Sequence, residues 1–190
     1  TLSSAGFWMG YRRDRRYFVL FYLGMALGLL TKGLVGVVLP AGVAFWWIVL
    51  TRKWEVVREA LYLPGLALFF LVGTPWFVLV CMKNPDFFDF FFIQEHFLRY
   101  TTKMHGRFEP WWWFIPIIIV GSIPWTGFLP GAIASALPSS IASRTRQDRG
   151  KIFLLLWFGI IFLFFSISNS KLIPYIVPVM PPLAILMGSF

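Results

Sequence analysis

The sequence predicts an all-α polytopic transmembrane bundle of about six spans, with an outward-facing amphipathic helix at the membrane interface. Three observations carry that reading. The 190 residues are 58% hydrophobic and only 13% charged, whereas a soluble domain is typically about a quarter charged. The apolar residues gather into runs at 17–31, 33–50, 60–80, 114–137, 152–167 and 172–189. At about 1.5 Å per residue, each run crosses all or most of a hydrocarbon core of about 30 Å. No dyad alternation of a barrel is present, and backbone groups in lipid must be satisfied within the segment, so the runs are expected to be helices.

Taken in order, the opening stretch TLSSAGFWMG has no positive n-region of a signal peptide and reads as the end of an earlier span. The first span closes at Lys32 and Gly33, where glycine permits a sharp turn. Pro40 falls in the second span and Pro64 and Pro75 in the third, so kinks or unwound turns are expected there. Residues 82–113 form an outer loop, and its Trp111, Trp112 and Trp113 read as an interfacial aromatic anchor. The fourth span carries Pro116, Pro124 and Pro130, and the sixth carries Pro174, Pro178, Pro181 and Pro182. Such breaks suit a cavity better than a smooth bundle. Residues 1–190 are read as one transmembrane domain of a larger protein.

Orientation follows from the basic residues. Arg12, Arg13, Arg15 and Arg16, then Arg52, Lys53 and Arg58, then Arg144, Arg146, Arg149 and Lys151 share one side if the six runs alternate. The smaller set, Lys32, Lys83, Arg99, Lys103, Arg107 and Lys171, takes the other. The richer side is therefore cytoplasmic, and the outer loop faces outward, which in a bacterium means the periplasm.

The outer loop contains DFFDFFFIQEHFLRY, residues 86–100. Acid, imidazole and guanidinium beside a bilayer carry a solvation cost that anchoring does not explain. Asn84 is expected to cap a helix beginning at Pro85, with Phe88, Phe91, Phe92 and Glu95 near one face and Glu95 four residues from Arg99. Arg99, with His96 beside it, is the candidate for meeting a lipid headgroup or phosphate. Lys32 in LLTKGLVG and Lys171 in SNSKLIPY are further cations on the same side, and Tyr175 follows one helical turn after Lys171. A lone lysine there can equally snorkel to the interface. Glu95 serves as the partner of Arg99, and the whole helix can equally be an amphipathic plug.

Other function classes find little support. The basic residues fall in short blocks and form no continuous face, which points away from nucleic acid. The one cysteine, Cys81, lies in an apolar run and reads as a small buried hydrophobe. His96 and His105 have no clear third ligand, so no metal site is expected within this chain and no cofactor is identified. GxGxxG, GxxxxGK[ST] and GxSxG are absent, which disfavours a nucleotide-sugar donor on a Rossmann-like domain.

Three segments, LTKGLVGVVLP, NPDFFDFFFIQEHFLRY and FSISNSKLIPYIVPVMPPLAIL, together resemble the membrane glycosyltransferases of the C-type fold. The resemblance is to bacterial aminoarabinose transferases of lipid A and to the broader dolichyl-phosphate-mannose protein mannosyltransferase-like group. It covers most of the chain from about Tyr17 onward. It implies a multispan enzyme of the bacterial inner membrane that takes a sugar from a polyprenyl-phosphate donor. The sugar would pass to an acceptor (lipid A, protein or another glycan) on the outer, periplasmic face. By the resemblance, Lys32, Arg99 and Tyr175 match positions lining the lipid-phosphate cavity, and Lys171 and His96 transfer less directly. The family's catalytic acidic residue precedes every motif found here, so the chain is expected to be an internal piece without its base and inactive alone. Asp86, Asp89, Glu95 and Glu109 are discounted for that role: the aspartates flank the helix start and Glu95 has Arg99. The rival readings are a transporter or lipid flippase, whose cations would line a translocation path, and a noncatalytic scaffold.

Overall fold

The computed structural model describes residues 1–91, 109–137 and 146–189, and among them it contains helices and no strand. It divides into two compact units, Thr1–Thr102 and Lys103–Phe190.

In the first unit the organising element is α2 (Phe18–Lys32), which packs against α1 (Leu2–Arg12), α3 (Val35–Thr51) and α5 (Leu63–Lys83). The opening residues are helical. Small residues permit the close approaches. Gly6 of α1 lies on the backbone of Leu20 and Phe21, and Gly24 of α2 lies on Ser3, the arrangement by which helices associate where no water drives them together. Around these contacts Phe7, Phe18 and Trp47 are buried, with ring centroids 5.8 Å apart for Phe7–Phe18 and 5.7 Å for Phe7–Trp47 in edge-on geometry. Arg52 closes α3 in the left-handed region at φ 53, and the following Lys53 N–H reaches back to the Ile48 carbonyl, which satisfies one of the orphan carbonyls of the helix end. The short helix α4 (Glu55–Ala60) follows, and the Tyr22 hydroxyl donates to the Ala60 carbonyl at 2.8 Å.

The helix α5 has 21 residues, enough for about 31 Å at 1.5 Å per residue. Beyond it Asn84 is extended, as a residue before proline prefers. The Phe87 N–H bonds the Asn84 carbonyl and the Phe90 N–H bonds that of Asp86. The expected helix therefore starts about two residues later than Pro85, with Pro85 and Asp86 in the turn. Phe87 and Phe91 stack at 5.3 Å and lean on Trp76 and Phe77 of α5, while Phe88 is exposed. The packed face is set by Phe87 and Phe91 rather than by Phe88. Phe92 lies outside the described residues.

In the second unit, α6 (Phe114–Gly121) and the stretch Trp125–Ala136, a 3₁₀ turn running into α7 (Leu129–Ala136), occupy the predicted fourth span but meet at a bend of 115° across Ser122–Pro124. The break is chemically closed: Ser122 donates to the Ile118 carbonyl at 2.7 Å and Thr126 to the Ile119 carbonyl at 2.8 Å, answering acceptors freed where the helix stops. Then come α8 (Arg146–Ile167), a 3₁₀ stretch Ile173–Val179 and α9 (Met180–Gly188). Ala132, Ala136 and Leu186 form a core to which Leu154, Leu155 and Met187 add. Trp111 and Trp112, ahead of α6, are exposed.

By length and composition two described helices, Leu63–Lys83 and Asp148–Ile167, are long and apolar enough to cross a membrane alone, and the bent pair makes a third if taken as one span. The runs at 17–31, 33–50 and 172–189 correspond to α2, α3 and the Ile173–Gly188 stretch, each shorter than those two. These apolar helices make the chain an integral membrane protein.

Candidate functional site

Lys32 is the last residue of α2 and is exposed. Its position follows from the turn that ends the helix. Gly33 takes φ 71, a conformation that costs little only for glycine, and its N–H bonds the Leu29 carbonyl at 3.0 Å. The chain then returns directly as α3. One turn from Lys32, Gly28 and Gly36 bring the two backbones into contact, since a Cβ built on Gly28 would stand 3.0 Å from the Gly36 Cα. The TKG motif is thus the tip of a tight helical hairpin. A cation at the C-terminal end of α2 also suits the helix dipole.

Lys171 is built differently. It is 5% exposed, and its ammonium donates to the Ser168 carbonyl at 2.7 Å and to the Glu109 carbonyl at 2.8 Å. Burial pushes its pKa below the ordinary lysine value, and the Glu109 carboxylate pulls the other way. The neighbouring polar tract is buried too. Ser168 donates to the Ser170 carbonyl and accepts from the Ser170 N–H, while the hydroxyls of Ser166 and Ser170 find no partner among the described residues.

Tyr175 stands four residues on in the 3₁₀ stretch, half-buried, its ring 5.1 Å from that of Phe165. Lys171, Tyr175 and Glu109 therefore belong to one unit and Lys32 to the other. His96, Arg99 and the supporting Glu95 lie outside the described residues. Among the described carboxylates, Asp86 and Asp89 are exposed at the helix start.

Two participants were not foreseen: Ser168, and the backbone carbonyl of Glu109. The tract SNSK, four polar residues between apolar runs, was the available signal for the first. Nothing local in the sequence pairs Lys171 with a carbonyl 62 positions earlier. Among the described residues no three His, Cys, Asp or Glu side chains gather as a metal site would require.

No family model matches the chain. Curated relatives do. An undecaprenyl phosphate-α-4-amino-4-deoxy-L-arabinose arabinosyl transferase of Proteus mirabilis is 38% identical over 178 residues, covering 90% of this chain and 30% of that protein. The corresponding transferase of Pseudomonas aeruginosa is 36% identical over 195 residues, covering 99% of the chain and 34% of its own length. Among solved structures, the crystal structure of ArnT from Cupriavidus metallidurans bound to undecaprenyl phosphate superposes with a TM-score of 0.86 at 37% identity. That match covers 99% of this chain and 34% of the other, and the apo form gives 0.82. The chain spans about a third of the length of the relatives it matches. Over nearly its whole length, in sequence and in fold, it is similar to part of the undecaprenyl phosphate-aminoarabinose arabinosyltransferases.

Proposed function

We infer that the protein containing this chain transfers a sugar from a polyprenyl-phosphate donor to an acceptor such as lipid A. The reaction is placed at the periplasmic face of a bacterial inner membrane. The observation that carries this is the 0.86 TM-score, at 37% identity, with a transferase crystallised with undecaprenyl phosphate. The relatives reported above are named as transferases, which gives the transporter or flippase reading no support.

Displacement at an anomeric carbon requires a carboxylate to activate the acceptor hydroxyl and cations to hold the charge growing on the departing phosphate. Lys32, exposed at the tip of its hairpin, and Arg99 are assigned the second role. Guanidinium suits it because its planar fork meets two phosphate oxygens at once. Tyr175 adds a hydroxyl donor, and His96 and Glu95 flank Arg99 in sequence. Lys171, with two carbonyls already on its ammonium, is assigned to hold the loop that leads to Tyr175. The catalytic carboxylate is expected from a part of the protein outside this chain.

The test is transfer from a polyprenyl-phosphate sugar by the full-length protein in liposomes at matched protein level. Lys32→Ala and Arg99→Ala should each lower turnover about 30- to 1,000-fold, because one cation lost from a water-poor site costs roughly 2 to 4 kcal/mol. Arg99→Lys should recover part of that, and Arg146→Ala should be close to silent. Turnover like wild type in both alanine variants would overturn the assignment.

A further inference from the structure

At the opposite end of the first unit from Lys32, the fold assembles a basic surface separate from the residues assigned to the phosphate. The turn between α1 and α2 carries Arg13, Arg15 and Arg16, and the α3–α4–α5 connection carries Arg52 and Arg58, all exposed. Far apart in sequence, these pieces are tied together. The Arg15 guanidinium lies 6.0 Å from the centre of the Tyr62 ring, and the Tyr22 hydroxyl of α2 bonds the Ala60 carbonyl.

Acidic neighbours do not cancel the charge. Asp14, which accepts the Arg16 N–H at 2.8 Å, and Glu55, 3.7 Å from Lys53, each keep their negative charge and offset only part of it. With Glu59 there are three carboxylates against six cations, the five arginines and Lys53, so the surface stays net positive.

Beside the cations is an apolar stripe. Trp54 and Leu61 bracket the six-residue helix α4 and Val57 lies within it, and Trp54 and Leu61 are 58% and 65% exposed. A short helix bracketed by exposed tryptophan and leucine, framed by arginines at the end of two apolar helices, has the composition of a segment lying at headgroup depth.

We propose that this surface binds the headgroups of anionic phospholipids in the surrounding bilayer, with Trp54 and Leu61 in the acyl boundary and Arg15, Arg16 and Arg58 on the phosphates. Charge complementarity selects this occupant. Guanidinium gives paired hydrogen bonds to phosphate oxygens, and a net positive surface discriminates phosphatidylglycerol from a zwitterionic lipid of the same shape. The reading does not depend on which sugar is transferred, or on transfer at all.

The experiment is native mass spectrometry of the detergent-solubilised full-length protein, titrated with phosphatidylglycerol or with phosphatidylcholine of matched acyl chains. Wild type should retain phosphatidylglycerol at least about tenfold more tightly, with the preference shrinking as salt rises. The combined Arg15→Gln, Arg16→Gln, Arg58→Gln variant should lose the preference. The matching lysine variant, which keeps charge and fold, should hold it within about threefold. Equal retention of the two lipids by wild type, an undiminished preference in the glutamine variant, or its loss in the lysine variant would each overturn the proposal.

Discussion

Lys32 and Lys171 read alike in sequence, each a single cation in a short polar break between apolar runs, yet the fold treats them in opposite ways. Lys32 ends a helix and is exposed, placed by a glycine turn and a glycine–glycine crossing behind it. Lys171 is buried, its ammonium shared between two backbone carbonyls. A buried ammonium is tolerated only when its protons are answered, and once they are, little donor capacity is left for a ligand. The environment, more than the residue type, separates a cation that can meet a phosphate from one that holds the chain in place.

The contrast can be broken at its supports. The largest stability loss is expected for Gly36→Val, which drives a branched side chain into the Gly28 backbone. About 3 kcal/mol should go, seen as a fall in thermal midpoint, and transfer should fall with it because the hairpin that presents Lys32 opens. Next comes Lys171→Met, which leaves the Ser168 and Glu109 carbonyls without their donor and should cost roughly 2 kcal/mol. Lys32→Met should lower the midpoint less than Lys171→Met does; equal midpoints for the two methionine variants would erase the distinction. Smaller again is Tyr22→Phe, a neutral pin on the Ala60 carbonyl, at about 1 kcal/mol in the same measurement. Glu55→Gln removes the exposed partner of Lys53 and should shift stability by less than about 0.5 kcal/mol.

Much of this was legible in the residues. The runs at 17–31 and 33–50 fall within a residue or two of α2 and α3, because a stretch of lipid-facing side chains has a single backbone solution and its polar ends mark where it stops. The TKG turn was legible for a related reason: only glycine takes φ 71 without strain. The sharp bend at Ser122–Pro124 was not, since proline announces a break without its angle. The delay of the helix start from Pro85 to about Phe87 also escaped, because Asn84 serves as the end of α5 as well as the start of the next turn. The carbonyl of Glu109 was hidden for the most general reason. Backbone acceptors carry no signature in a sequence, so a lysine that will meet one looks the same as a lysine that will meet a ligand.

The bend between α6 and α7 fixes more than a local angle, because it sets the parity of everything that follows. If the pair passes through the membrane, Arg149 and Lys151 emerge on the same side as Arg52 and Lys53. If it turns back, every later segment emerges on the opposite side. Impermeant thiol labelling of Lys53→Cys and Lys151→Cys in intact cells reads that parity directly: matching protection means passage, and opposite labelling means return. A three-residue break, its freed carbonyls answered by Ser122 and Thr126, thus sets the side of the membrane on which the segments after it emerge.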